Sequence, residues 1–195
     1  MLIVFEGIDG SGTTTQAEIL ANKLKKKGLD VFKTSEPTEN KIGLLTREIL
    51  QNKWQTSPSA LQLLFCADRA DHLEKQINPA LKKGKIVITD RYFYSTIAFG
   101  SLACSKKWLE NICQIFPLAD IIFYLKLDSQ IALERIVKRG EKELFEKKEF
   151  LEKVSLNFEK LFSNKQQKTK FFTLDAKVDT DFLADKVWLI LKDLI

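Results

Sequence analysis

The sequence predicts an α/β protein: a five-stranded parallel sheet with helices on both faces, in one domain spanning residues 1–195. Two observations carry this. Short apolar runs alternate with amphipathic stretches from one end of the chain to the other, and strand–helix alternation builds a sheet covered on both sides. Several of the runs are continuously apolar rather than alternating, as in strands buried on both faces of a parallel sheet. With 195 residues and 45% hydrophobic content, the chain has material for one sizeable core.

The predicted strands fall at 2–5, 30–33, 85–89, 121–125 and 171–174. Between them, Ala17, Leu20, Ala21 and Leu24 share one helical face, with Gly28 placed as a stop. Leu73, Ile77 and Leu81 mark a second helix ending near Gly84. Leu151, Val154, Phe158, Leu161 and Phe162 mark a third, and Leu183, Val187, Ile190 and Leu194 the last. Segments 35–41 and 140–148 are polar and loop-like. Lysine clusters at 25–27 and 82–83 suit solvated helix ends, where cations complement the helix dipole. The sequence shows no repeat, low-complexity stretch or inter-domain linker.

Composition narrows the function. Lys+Arg is 31 and Asp+Glu 26, a formal charge of +5, which suits an anionic partner but is too small to argue for nucleic acid. There is also no basic-aromatic platform. No apolar run is long enough to cross a bilayer. The apolar start at Leu2 has no basic stretch before it, which reads against a secretory leader. Cys66, Cys104 and Cys113 lack C-x-x-C spacing, so a disulfide framework or zinc site is not expected. A cytoplasmic protein is.

The strongest motif follows the first strand and opens the first helix: Gly7, Ile8, Asp9, Gly10, Ser11, Gly12, Thr13 and Thr14, with Thr15 next. Glycines let the backbone curl so that successive N–H groups converge on an anion, and the helix N-terminus adds positive potential. Thr14 stands where a hydroxyl ligand for Mg²⁺ is needed. The P-loop pattern asks for Lys where this chain has Thr13. The alternative account is a Gly/Ser-rich turn with a threonine cap; the position after strand one favours phosphate. A hydrogen bond from a charged group is worth roughly 1.5–3 kcal/mol. Used in the transition state, that is about one to two decades of rate, so another cation should compensate or the reaction should be slow.

A second signal lies at the carboxyl end of the third strand, the edge where ligands gather in open α/β sheets. There Asp90 can hold Mg²⁺ through its waters and Arg91 can grip a phosphate. A structural ion pair is the competing account.

Three segments then read together: Phe5-Glu6-Gly7-Ile8-Asp9-Gly10-Ser11-Gly12; Leu64-Phe65-Cys66-Ala67-Asp68-Arg69-Ala70-Asp71-His72; and Asp90-Arg91-Tyr92-Phe93-Tyr94-Ser95-Thr96-Ile97-Ala98-Phe99. Their order and spacing resemble the thymidylate kinases of the P-loop nucleoside-monophosphate kinase family over nearly the whole chain. Glu36-Pro37-Thr38 with Gly43 and Arg47 is similar to that family's segment after strand two. Residues 133–140 with Phe145-Glu146 are similar to its lid.

The resemblance implies the three-layer P-loop NTPase fold, and transfer of the γ-phosphoryl of ATP to thymidine monophosphate with Mg²⁺. It implies that Phe65 and Arg69, one helical turn apart, hold the thymine, and that Thr96 bonds the base. Phe99 matches an aromatic against the sugar that disfavours a 2′-OH. The family often follows that aromatic with Gln, where this chain has Gly100. Asp9 matches a carboxylate near the sugar 3′-OH and phosphate, and Arg47 and Arg91 match phosphate-holding positions; Glu36 belongs to the same substrate set. Core packing for Phe65, an ion pair with Asp68 or Asp71 for Arg69, an Asx turn for Asp9 and an exposed helix arginine for Arg47 are the alternatives. His72 reads as a structural, hydrogen-bonded histidine. Asp175 matches a loop that touches adenine in related kinases, or is a simple cap or turn.

Arg135 and Arg139 are one turn apart, Lys142 extends the same face if the helix continues, and Gly140 is a plausible hinge for a lid at 139–148. A solvated surface with a Glu134–Lys138 pair is the plainer account. Gly10 in the loop resembles the family arrangement that places catalytic cations in the lid. Arg139, helped by Arg135 or Lys142, is therefore expected to close over the transferred phosphoryl. The family also implies a homodimer, with 57–81 and 95–116 as interface candidates. Two other readings stay open: a nucleotide-binding protein with lost or reduced catalysis, and a kinase for another pyrimidine nucleotide or deoxynucleoside.

Overall fold

The computed structural model describes residues 1–140, 147–163 and 169–195. Five parallel strands form one sheet in the order β2-β3-β1-β4-β5: β1 Leu2–Gly7, β2 Val31–Ser35, β3 Ile86–Asp90, β4 Ile121–Lys126 and β5 Lys170–Asp175. Every expected run overlaps a strand: β2 and β3 begin one residue later than expected, at Val31 and Ile86, and all five strands end one or two residues beyond the expected runs. The central strand β1 is buried along its length, whereas the edge strand β5 is mostly half-exposed or exposed. Continuous apolar sequence therefore marks the centre of the sheet best.

From β1 the chain steps to β2 and back to β3 on one side, then crosses to β4 and β5 on the other. Connections diverging from a central strand open a crevice at the carboxyl ends of the strands. Helix α1 (Thr13–Lys26) leaves β1 there and packs against β1, β2, β3 and α9 (Thr180–Leu191). A second group of helices comprises α3 (Pro58–His72), α5 (Phe93–Gly100), α6 (Lys106–Cys113), α7 (Ser129–Arg139) and α8 (Lys148–Ser163). Within it, α5 packs on α3, α6, α8 and β1. Helix α2 (Lys41–Leu50) packs on α3.

Local chemistry sets the helix ends. Ser57 caps α3, with Pro58 at the first helical position, and Asp128 and Asp179 cap α7 and α9. Helix α3 runs through a π-helical turn, Leu73–Ile77, into α4 (Asn78–Lys82). Pro79 sits just inside α4; its ring nitrogen cannot donate, so the ladder is relaxed where a donor is missing. Helix α9 ends at Leu191. Leu194, which the pattern placed on that helix, packs on the core from the segment beyond it. Among the described residues no helix is long and apolar enough to cross a membrane, and all three cysteines are free thiols.

Candidate active site

The carboxyl ends of β1, β2 and β3 surround a cavity of about 320 Å³. One wall is the loop after β1, turned by Gly10 and Gly12 at φ +81° and +93°. Those are left-handed values that L side chains avoid. Gly10 also faces the backbone of α7: a Cβ there would lie 2.6 Å from the Ala132 carbonyl oxygen. Among the described residues no side chain caps α1. Asp9, Gly10, Gly12, Thr13, Thr14 and Thr15 line the cavity. Gly7, Ile8 and Ser11 are buried behind that wall.

Thr14 Oγ1 donates to Asp90 Oδ2 at the end of β3, while Asp90 Oδ1 is buried with no partner among the described residues. A hydroxyl and a carboxylate in contact, with one oxygen unsatisfied, fit a hard divalent cation, which takes oxygen ligands. The expected Thr14 and Asp90 thus stand together.

Arg91 follows in the left-handed region, φ 70°. This is a strained backbone held by its N–H to the Phe5 carbonyl and by Thr89 Oγ1 donating to its own carbonyl. Its guanidinium donates to the Gly7 carbonyl at 2.7 Å, to Ser95 Oγ at 3.1 Å and to Asp9, and lies 5.2 Å from the centre of the Phe99 ring. Asp9 and Arg91 therefore act as one unit at the cavity mouth. Arg47 donates to the carbonyls of Pro37 and Thr38, which aims it along the same cavity rather than into solvent.

The far wall combines Phe65, Arg69, Thr96 and Phe99. Arg69 is 2% exposed. Its Nε donates to Glu36 Oε2 at 2.7 Å and its Nη1 to Thr96 Oγ1 at 3.1 Å. Neither neighbouring aspartate takes it: Asp68 accepts from the Thr38 N–H and hydroxyl, and Asp71 pairs with Lys75. The other oxygen of Glu36 meets His72 Nδ1 at 3.1 Å, while His72 Nε2 meets Thr34 Oγ1 at 2.7 Å. So Glu36, expected against substrate, lines the cavity but spends its carboxylate on fixing Arg69. His72 is structural.

Arg135 does not line this cavity. It donates to the Gly10 carbonyl at 3.4 Å and the Ala176 carbonyl at 3.0 Å, tying the β1–α1 loop to the turn after β5. Asp175 closes that turn by accepting from the Lys177 N–H. The Arg139 side chain and Lys142, and with them most of the lid segment, lie outside the described residues.

Two neighbours escaped sequence reasoning. Glu6 is fully buried in β1 and accepts from the N–H groups of Tyr92 and Ser95 and from the Ser95 hydroxyl. Burial pushes its carboxyl up to about 7, against the Ser95 hydrogen bond and the Arg91 charge. A glutamate inside a continuous apolar strand was the available signal. Gln62 is buried one turn before Phe65; a polar residue on the inward face of α3 was its signal.

A sequence model of the family described as thymidylate kinase matches residues 5–187. A probable thymidylate kinase of Pyrococcus abyssi is 43% identical over 166 residues, covering 82% of this chain and 81% of that one. A probable thymidylate kinase of Methanocaldococcus jannaschii is 44% identical over 155 residues, 79% of this chain and 77% of the relative. A thymidylate kinase of Desulfotalea psychrophila is 40% identical over 163 residues, covering 82% and 81%.

Proposed function

Because the chain belongs to the thymidylate kinase family, we propose that it transfers the γ-phosphoryl of ATP to thymidine monophosphate, with Mg²⁺, yielding the diphosphate. The observation that supports this most is the single cavity that joins the β1–α1 loop, the Asp90–Arg91 pair and the Phe65–Arg69–Thr96–Phe99 wall. One end suits a polyphosphate, the other a planar base, and Arg47 and Arg91 lie along the wall between.

Residues Asp9–Thr15 receive the donor phosphates. Thr14 and Asp90 hold the cation, which, when bound, neutralises charge on the transferring group. Arg91 and Arg47 hold the acceptor phosphate, and Asp9 fixes Arg91 while facing the sugar hydroxyl. Phe65 stacks on the base and Arg69 donates to a ring carbonyl. Little covalent chemistry is asked of such a site; positioning and charge neutralisation supply the rate. The guanidinium of Arg91, with the lid cations Arg139 and Lys142, takes the part of the lysine absent at Thr13.

Leu63, Ile115 and Leu118, half or more exposed on or beside α3 and α6, suit the homodimer interface. A light-scattering mass of one 22.4 kDa chain would rule out that assembly. The activity is tested by ADP release with ATP and Mg²⁺ against thymidine, thymidine, deoxyuridine and deoxycytidine monophosphates. Fastest turnover of thymidine monophosphate is expected. Preference for the nucleoside, or for the cytosine nucleotide, would overturn the assignment.

A further inference from the structure

Five buried side-chain oxygens lack a partner among the described residues: those of Ser11, Gln16, Gln62, Asp90 and Thr169. Two of these side chains line the main cavity, Asp90 at the phosphate end and Gln62 at the base end. Gln62 is only 4% exposed. A buried amide oxygen left unpaired is costly, and a native structure retains one for a reason.

Gln62 precedes Phe65 by one helical turn and Arg69 by two, so the three present one face of α3 to the cavity. Across from it, a Cβ built on Gly100 would lie 2.8 Å from both Cδ and Oε1 of Gln62. Position 100 is free of a side chain where the Gln62 amide needs the room.

The donors and acceptors around the base are unevenly supplied. Arg69 offers only donors. Thr96 Oγ1 already accepts from Arg69, and the Glu36 carboxylate is taken by Arg69 and His72. The imide edge of thymine or uracil presents an N–H flanked by carbonyls, so its N–H needs an acceptor. Gln62 Oε1 is a buried acceptor without one.

We propose that Gln62 is a specificity-determining residue that reads this imide edge, Oε1 accepting from ring N3–H and Nε2 donating to an adjacent ring carbonyl. The assignment rests on the thymidylate kinase reading of the cavity. Cytosine, whose N3 is an acceptor, would set a lone pair against Oε1. A site whose polar groups are built to pair with a substrate discriminates strongly against one that leaves them unpaired.

The test compares kcat/KM for thymidine monophosphate and 5-methyldeoxycytidine monophosphate in the natural protein and in Gln62→Leu, with calorimetric binding of both nucleotides and of ATP. Gln62→Leu is expected to lower kcat/KM for thymidine monophosphate about 10- to 100-fold. It should leave ATP binding unchanged and relieve the lone-pair opposition to the cytosine analogue, so the preference narrows by at least that factor. Gly100→Ala displaces only the tip of a flexible side chain, and should give a smaller loss in the same direction. Gln62→Ala with Gly100→Gln refills the space from α5, which packs against the Gln62 amide at Gly100, and should recover much of the preference lost in Gln62→Ala.

An unchanged preference in folded Gln62→Leu, with the natural protein active, overturns the role of Gln62 alone. A natural protein that neither binds nor turns over thymidine monophosphate overturns the kinase reading and this inference with it. Should Gln62→Leu not fold, Gly100→Ala decides: an unchanged preference there overturns the inference.

Discussion

Thr14 and Asp90, 76 positions apart in sequence, share a hydrogen bond, Thr14 Oγ1 donating to one carboxylate oxygen of Asp90. The pair ties the first turn of α1 to the end of β3 and puts two oxygen donors on one spot. The second Asp90 oxygen is buried and unpartnered among the described residues. Asp90→Asn is therefore expected to lower turnover about 10- to 100-fold, the usual effect of disturbing the groups around a metal. It should also raise the Mg²⁺ concentration needed for half-maximal rate. Initial rates across a Mg²⁺ titration check both. A loss that shows no Mg²⁺ dependence would remove Asp90 from the cation's site.

The buried Arg69–Glu36 pair has a structural as well as a binding role. Arg69→Ala leaves the Glu36 carboxylate at 6% exposure with His72 as its one remaining side-chain partner among the described residues. Removing one member of a buried pair costs about 3–5 kcal/mol, so the urea midpoint should fall and the KM for thymidine monophosphate should rise together. A variant that unfolds at the natural midpoint would show that the pair adds nothing to stability.

Glu6 gives the protein a specific pH dependence. Its folded pKa, about 7, is raised above an ordinary value of 4.5. The folded state therefore holds a proton that the unfolded state has released between those values. Stability from this group is full below about pH 4.5 and declines as pH rises toward 7, by roughly 3 kcal/mol in all. Glu6→Gln should lack that decline, so the gap between the two proteins' thermal melting curves should change by that amount over pH 4.5–7. Parallel pH profiles for both would exclude Glu6 as the source.

Arg135 was expected among the lid cations; in the fold it links the Gly10 and Ala176 carbonyls. Arg135→Ala should loosen the phosphate loop, raising the KM for ATP by about tenfold with little change in the KM for thymidine monophosphate. Steady-state kinetics with each substrate varied in turn separate the two. An unchanged KM for ATP with a collapsed kcat would return Arg135 to the transferred phosphoryl.

The central strands and the phosphate loop were legible because their signals are local: continuous apolar sequence for β1, β3 and β4, and glycines at fixed offsets for the loop. Helix α5 was not: seven of its eight residues are buried, so no periodicity distinguishes its faces. The π-helical turn before Pro79 left no pattern in the side chains.

In the site, residue identities were legible and their partners were not. Glu36 reaches Arg69 across 33 positions and His72 across 36. Which carboxylate takes a given arginine depends on strand order rather than on sequence neighbours, so Asp68 and Asp71 were weighed and Glu36 was the partner. The contact between Gln62 and Gly100 was hidden in the same way.

The central claim is that this site transfers phosphoryl groups although Thr13 stands in the lysine's place. Coupled ADP release with ATP, Mg²⁺ and thymidine monophosphate, run on the natural protein beside Thr13→Lys, tests it most directly. Clear turnover by the natural protein is expected, with Thr13→Lys faster by at most about one to two decades. No turnover by the natural protein, with activity appearing only in Thr13→Lys, would contradict the account and make this chain a nucleotide-binding protein silenced at one position.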